Sequence, residues 1–268
     1  MFTDSHCHLS FPELSRQIPE IRQRMQAASV SRAMCICTTL EEFEDVHALA
    51  MADSGFWCSV GVHPDNEGVT EPTVEGLLEL AKRPKVLAIG ETGLDYYRLN
   101  GRSIADMEWQ RDRFRTHIRV AQRARKPLVV HTRSASEDTL AILKEEGEGT
   151  SGSSSAGGVF HCFTESLDVA RQALDLGYYI SFSGIITFNS AKALREVVEY
   201  VPMERILIET DSPYLAPVPH RGKTNDPSLV PLVAAQIATI KGLGIDEVAS
   251  LTSANFDQLF LRAGKAAP

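Results

Sequence analysis

No cysteine pair in this chain has the C-x-x-C spacing. Cys7, Cys35, Cys37, Cys58 and Cys162 all fall in apolar stretches, which sets aside a zinc ribbon or a dithiol redox motif and leaves small buried thiols. Long hydrophobic runs are missing too. Nothing approaches the roughly 18 consecutive apolar residues of a membrane span. Met1–His8 already reads as a strand, so no basic-then-apolar leader is expected and the cytoplasm is the expected compartment. No strand is followed by G-x-G-x-x-G and there is no P-loop, which argues against an open nucleotide-binding sheet. Positive charge is in deficit: 27 Lys and Arg against 35 Asp and Glu leave a formal charge of −8. That balance argues against gripping long duplex nucleic acid over a broad basic face. A phosphate substrate remains compatible with it, because carboxylates that hold cations create an electropositive pocket within an acidic protein.

What is present is one long, evenly apolar chain of 268 residues, 43% hydrophobic, with no break near its middle. A single domain over 1–268 is the expectation. Eight short apolar runs recur: Phe2–His8, Ala33–Thr38, Trp57–His63, Val86–Glu91, Leu128–His131, Val159–His161, Tyr178–Ser183 and Ile206–Asp211. Segments long enough for a helix separate them. This alternation predicts parallel strands joined by crossovers, and eight such units predict an α/β fold closed as a (β/α)8 TIM barrel. Asp106–Arg125 reads as a helix, with Met107, Phe114, Ile118 and Ala121 on its apolar side. Arg111, Arg115, Arg119, Arg123 and Arg125 decorate the rest, as a solvated outer face. The small-residue tract Gly147–Gly158 reads as an irregular loop before the sixth strand.

In such a barrel the active residues gather at the C-terminal ends of the strands, and chelating residues fall there repeatedly. His6 and His8, two apart on a strand, share a face. Glu91, His131, His161 and Asp211 end four later runs. A carboxylate or imidazole at the end of an apolar run is costly unless paired or bound to a cation, and the coincidence of so many points to metal. Six ligands are too many for one tetrahedral ion and suit a pair about 3.5–4 Å apart. The expectation places Glu91 as the bridge, His6, His8 and Asp211 on one ion, and His131 and His161 on the other.

The ordered set DSHCHL (4–9), GVHP (61–64), GETGLDY (90–96), HTR (131–133), HCF (161–163), ETDSPYL (209–215) and PHRGKTNDP (219–227) resembles the TatD family of metal-dependent hydrolases, along nearly the entire chain. The resemblance implies a (β/α)8 fold, two divalent metals and hydrolysis of nucleic acid phosphodiesters. Thr224, where the family commonly has a second basic residue, and the tract 147–158, which looks like an insertion, depart from its pattern.

The expected chemistry is a TatD-like deoxyribonuclease acting on single-stranded DNA, with magnesium, manganese or zinc as the ions. Asp211 is the expected proton acceptor for the attacking water, and Glu91 is its partner in catalysis. His63, Arg133 and Arg221, with Lys223 nearby, are the expected phosphate contacts, arginine because its planar fork makes two parallel charge-assisted bonds. The bland alternatives are a hydrogen-bonded turn for His63, a pair with Glu137 for Arg133, and solvation for Arg221. Glu209 is expected behind a ligand, orienting it. His47, His117 and His220 receive no chemical role. Two rival readings remain: an amidohydrolase-like enzyme for C–N or ester bonds, such as an aminoacyl-tRNA deacylase, and a non-catalytic metal-binding scaffold.

Overall fold

The structure, a computed structural model, describes residues 1–150 and 155–262. Strands β1 (Phe2–Cys7), β2 (Val30–Cys35), β3 (Phe56–Val60), β4 (Val86–Asp95), β5 (Leu128–Arg133), β6 (Gly158–Phe160), β7 (Tyr179–Phe182) and β8 (Ile206–Ile208) form one sheet in chain order. Each pairs in parallel with the next. The last strand returns to the first. Asp211 N donates to His6 O (3.0 Å) and His8 N to Ser212 O (2.8 Å), while the buried Asp4 carboxylate accepts from Thr210 N (3.0 Å) and Thr210 Oγ1 (2.6 Å). The result is a nearly closed (β/α)8 barrel, as expected from the eight repeats.

Helices fill the connections: α1 (Pro12–Ser15), α2 (Ile18–Ala27), α3 (Phe43–Ala52), α4 (Val74–Ala81), α5 (Glu108–Ala124), α6 (Ser136–Glu145), α7 (Leu167–Asp175), α8 (Lys192–Tyr200), α9 (Val230–Lys241) and α10 (Ile245–Phe256). Alternation along the strands separates two apolar clusters. Cys35, Ile89, Val130, Phe160 and Ile180 meet the helices through Phe114, Ile118, Leu140 and Val233. Met34, Ile36, Ala88, Val129, Val159 and Leu207 pack together with Phe256, Leu259 and Phe260 from the C-terminal segment, which plugs the end opposite the site. Lysines cap helix ends: Lys126 Nζ donates to Ala81 O (2.6 Å) at the end of α4, and Lys241 Nζ to Glu199 O (2.7 Å) on α8. A cation there meets the negative end of the helix dipole.

Strand boundaries differ from expectation: β1, β3, β6, β7 and β8 stop short, so that His63 and Asp211 stand three residues past Val60 and Ile208, and three further differences have a local reason. β2 begins at Val30, because Arg32 sits opposite Thr3 and its side chain is spent on Thr3 Oγ1 (3.0 Å) and Asp257; a polar stretch thereby belongs to a strand. β4 runs on through Asp95, so Glu91 lies inside the strand and not at its end. The register shifts between Ile89 and Thr92, and Gly90 (φ 145°) supplies the backbone for that bulge, while Gly93 (φ 132°) pairs in register beyond it. A Cβ on Gly93 would stand 1.9 Å from His131 O, so no other residue fits. β5 likewise extends two residues past His131, as Gly93, Leu94 and Asp95 pair with His131, Thr132 and Arg133.

Residues 147–150 follow α6 and residues 155–158 lead into the first residue of β6, which places these described parts of the tract 147–158 at the end of the barrel away from the site. Residues 151–154 of it lie outside the described residues. The rest is held by Glu148, whose buried carboxylate accepts from Gln122 Nε2, Ser155 Oγ, Ala156 N, Gly157 N and Tyr178 Oη.

Candidate metal centre and active-site pocket

Glu91 stands at the centre of the C-terminal mouth, buried, with its two oxygens facing different partners. Oε2 lies 3.3 Å from His6 Nε2 and 3.8 Å from His8 Nε2. Asp211 Oδ1 closes that group at 3.5 Å from His6 Nε2 and 3.4 Å from His8 Nε2, and the two imidazole nitrogens are 3.2 Å apart. His6, His8 and Glu91 thus form one set of donors close enough to hold an ion, and Asp211 shares a second with His6 and His161; edges of a tetrahedron around an ion at about 2.0–2.2 Å are about 3.3–3.6 Å long. Oε1 faces His63 Nε2 (3.3 Å), His131 Nδ1 (3.2 Å) and His161 Nε2 (2.8 Å).

The hydrogen bonds on the far side of each ring decide which nitrogen carries a lone pair. His131 Nε2 is 3.0 Å from Asp95 Oδ2 and His161 Nδ1 is 3.4 Å from Glu209 Oε1. Those carboxylates accept, so His131 Nδ1 and His161 Nε2 present lone pairs towards an anionic oxygen. His161 Nε2 is buried and makes no hydrogen bond among the described residues. Lone pairs facing a carboxylate at such distances need a positive charge between them, either a proton or a metal ion. His63 is the opposite case: Asp65 N donates to its Nδ1 (3.1 Å), which leaves the proton on Nε2 and makes His63 a donor.

The acid–base balance shows how strongly a positive charge is favoured at these nitrogens: a proton fills the place when no metal ion does. Burial alone would push the His161 pKa down, yet the Glu91 and Glu209 carboxylates raise it well above the usual imidazole range. For Glu91 burial would push up, and His161, His63 and His6 outweigh it, holding the carboxyl well below its ordinary value. Asp211 is also lowered against burial, through His8 and the charges of His6 and His161. The centre is built to keep carboxylates ionised beside nitrogens that attract a cation.

Above it opens a cavity of about 690 Å³. Its lining includes His8, His63, Glu91, His131, Arg133, His161 and Asp211 from the sequence reading. Arg133 points to Tyr97, 3.7 Å from the ring centroid. Arg221 is not part of the lining; its guanidinium lies 4.4 Å from the Phe188 centroid. Arg98 lines the cavity instead, and it was not singled out from sequence, because one exposed arginine in a loop carries no pattern.

Residues 3–261 match the family described as TatD related DNase. The chain belongs to the TatD family. Over 96% of its length it is 44% identical to the uncharacterized metal-dependent hydrolase YcfH of Escherichia coli K12, covering 94% of that protein. Over the same share it is 32% identical to the 3′-5′ ssDNA/RNA exonuclease TatD of Klebsiella pneumoniae, covering 97% of it. The crystal structure of YjjV, a TatD homologue from Escherichia coli K12, superposes with a TM-score of 0.87 at 30% identity, over 97% of this chain and 98% of that one. This TatD-family chain is therefore a metal-dependent hydrolase, and the donor sets around Glu91 are its candidate metal centre.

Two supports in this TatD-family site escape sequence reasoning. Arg113, only 3% exposed, donates from Nη1 to His63 O (2.9 Å) and Asn66 O (2.8 Å) and pairs with Glu71. Four residues on, one helical turn along α5, His117 Nε2 accepts from Val62 N (3.0 Å), while His117 Nδ1 donates to Arg113 O (2.8 Å). α5 thus grips the loop that carries His63. The advance signal was that Arg113 falls on the apolar side of α5; of the arginines expected on its solvated face, Arg111 is itself largely buried, bonded to Tyr96 Oη (2.9 Å) and Asp138 Oδ2 (3.3 Å). His47 bonds Pro84 O at 2.9 Å, and neither it nor His220 lines the cavity.

Proposed function

We propose that this chain hydrolyses phosphodiester bonds of single-stranded nucleic acid, DNA in particular, and that Glu91, His6, His8, His131, His161 and Asp211 would hold two divalent cations for the reaction. The observation that carries this reading is the division of Glu91: Oε2 faces His6 and His8, which Asp211 also meets, and Oε1 faces His131 and His161. Magnesium, manganese or zinc ions held there supply a more acidic attacking water and offset the charge that builds on phosphoryl and leaving oxygens.

The protein's own groups do the rest. Asp211, ionised and open to the cavity, takes the proton of the attacking water. His63 donates from Nε2 to a phosphoryl oxygen, and the Asp65 bond keeps the proton on that nitrogen. Arg133 and Arg98 attract the phosphate chain from the rim. The Klebsiella relative named as an exonuclease on ssDNA and RNA supports the substrate class.

The test refills metal-stripped protein with magnesium, manganese or zinc and follows a short single-stranded oligonucleotide beside Glu91→Ala and a panel of C–N and ester substrates. Cleavage that returns with metal and is lost in Glu91→Ala is expected. Turnover of a non-phosphate substrate alone would overturn the phosphodiester assignment and leave the metal centre standing.

A further inference from the structure

The cavity has two unlike sides. Arg98, Arg133 and Thr132 line it next to β4 and β5, and Phe11, Tyr214, Leu215 and Ile185 line it elsewhere. Phe11 follows β1 and Tyr214 follows β8, and in an eight-stranded order that closes β8 on β1, this seam lies across the barrel from β4 and β5. A largely apolar wall with two aromatic rings thus faces a basic rim, with the anion-handling centre between them. A nucleotide has the same division, with an apolar planar base at one end and a charged phosphate at the other.

The wall is registered to the centre through the backbone. Phe11 N donates to His8 O (3.1 Å) and Tyr214 N to Asp211 O (3.1 Å). The buried Asn225 clamps the second of these from behind, donating to Thr210 O (2.9 Å) and Tyr214 O (2.7 Å). The Phe11 ring stacks on the His8 imidazole, 4.6 Å between centroids and 17° from parallel, and Tyr214 meets Phe11 edge-on at 6.3 Å. Tyr214 nevertheless stays 52% exposed. A large ring on a backbone tied beside Asp211, and left open to the cavity, is a platform without its stacking partner.

We propose that Phe11 and Tyr214 form a nucleobase-stacking subsite, which holds the base of a nucleotide adjoining the scissile phosphodiester. The inference rests on the phosphodiesterase reading above. Stacking of this kind accepts any base, since every base has a π-face, and it requires the base to be unpaired. It therefore selects single strands and strand ends over intact duplex.

The test compares kcat/KM on a short single strand with kcat/KM on a length-matched strand of abasic tetrahydrofuran nucleotides, using the metal-loaded full chain. Wild type is expected to prefer the base-bearing strand by about tenfold or more. Tyr214→Ala should bring that preference close to unity, mainly by raising KM for the base-bearing strand. Tyr214→Phe should keep the preference, and Tyr214→Leu, apolar but without a flat face, should not. Tyr200→Ala, which removes an exposed ring on α8, serves as the control and should change nothing. Full preference retained by Tyr214→Ala, or equal cleavage of both strands by wild type, would overturn the subsite alone. Cleavage of neither strand by a protein that turns over a non-phosphate substrate would overturn the phosphodiesterase reading and the subsite with it.

Discussion

Asp95 Oδ2 lies 3.0 Å from His131 Nε2 and thereby turns the His131 Nδ1 lone pair towards Glu91 Oε1, 3.2 Å away. A carboxylate behind a ligating imidazole fixes its tautomer and raises its basicity. Asp95→Asn keeps the shape and removes the charge. Metal affinity at the Oε1 side should fall by about 10–100-fold, with the fold intact. Calorimetric metal titration checks this, and unchanged affinity would refute the role.

Arg113 tests the grip of α5 on the His63 loop. Arg113→Ala strips the donor from two carbonyls, at a cost of about 1–3 kcal/mol. It also frees residues 63–66 to wander, so kcat should drop by about ten- to a hundredfold while bound metal stays at the wild-type level. Added guanidinium should restore part of the rate. Arg113→Lys should recover little, since an ammonium lacks the fork that spans both carbonyls and Glu71. Equal activity in Arg113→Ala would show that the loop holds itself.

His117 gives a pH dependence with a defined sign. Burial lowers its pKa from 6.5 to about 4. An unfolded chain takes up this proton near 6.5 and the native one only near 4, so the stability from neutral His117 is full above about pH 6.5. It drains away as pH falls towards 4, by roughly 3 kcal/mol in all. Urea midpoints measured between pH 7 and 4.5 should therefore fall more steeply for wild type than for His117→Gln. Parallel curves would count against a neutral buried imidazole.

Glu148 concerns the opposite end of the barrel. Its carboxylate collects five donors from α5, the 155–157 backbone and side chains, and Tyr178. Glu148→Ala leaves several of them buried and unsatisfied, which should cost about 1–3 kcal/mol and speed proteolytic nicking within 147–158. The kcat on any substrate should not move. A changed kcat would connect the tract to the site.

The barrel was legible because its strands are short apolar runs at regular intervals, and the donor set because His6, His8, Glu91, His131, His161 and Asp211 interrupt those runs with groups that apolar surroundings reject. Asp95 was quoted within GETGLDY but received no role, since the extension of β4 depends on a glycine-borne register shift that no periodicity reveals. Arg221 and Arg98 show the limit for loops. Both are basic and neighbour striking motifs in the chain, and only the fold decides that Arg98 reaches the cavity while Arg221 lies against Phe188. Arg113 was hidden for another reason: a buried arginine looks like a surface one until its backbone partners, some 50 residues away, are known.

The closure of β1 on β8 also has a consequence for biosynthesis. His6 and His8 emerge from the ribosome first, but Asp211 and the Asp4–Thr210 bonds, 206 residues apart in sequence, are the last pieces of the centre to arrive. Non-local closure of this kind comes late in folding. A nascent chain is expected to remain catalytically silent until the segment carrying Asp211 has been translated, and a fragment terminated before it would carry imidazoles without a working hydrolase.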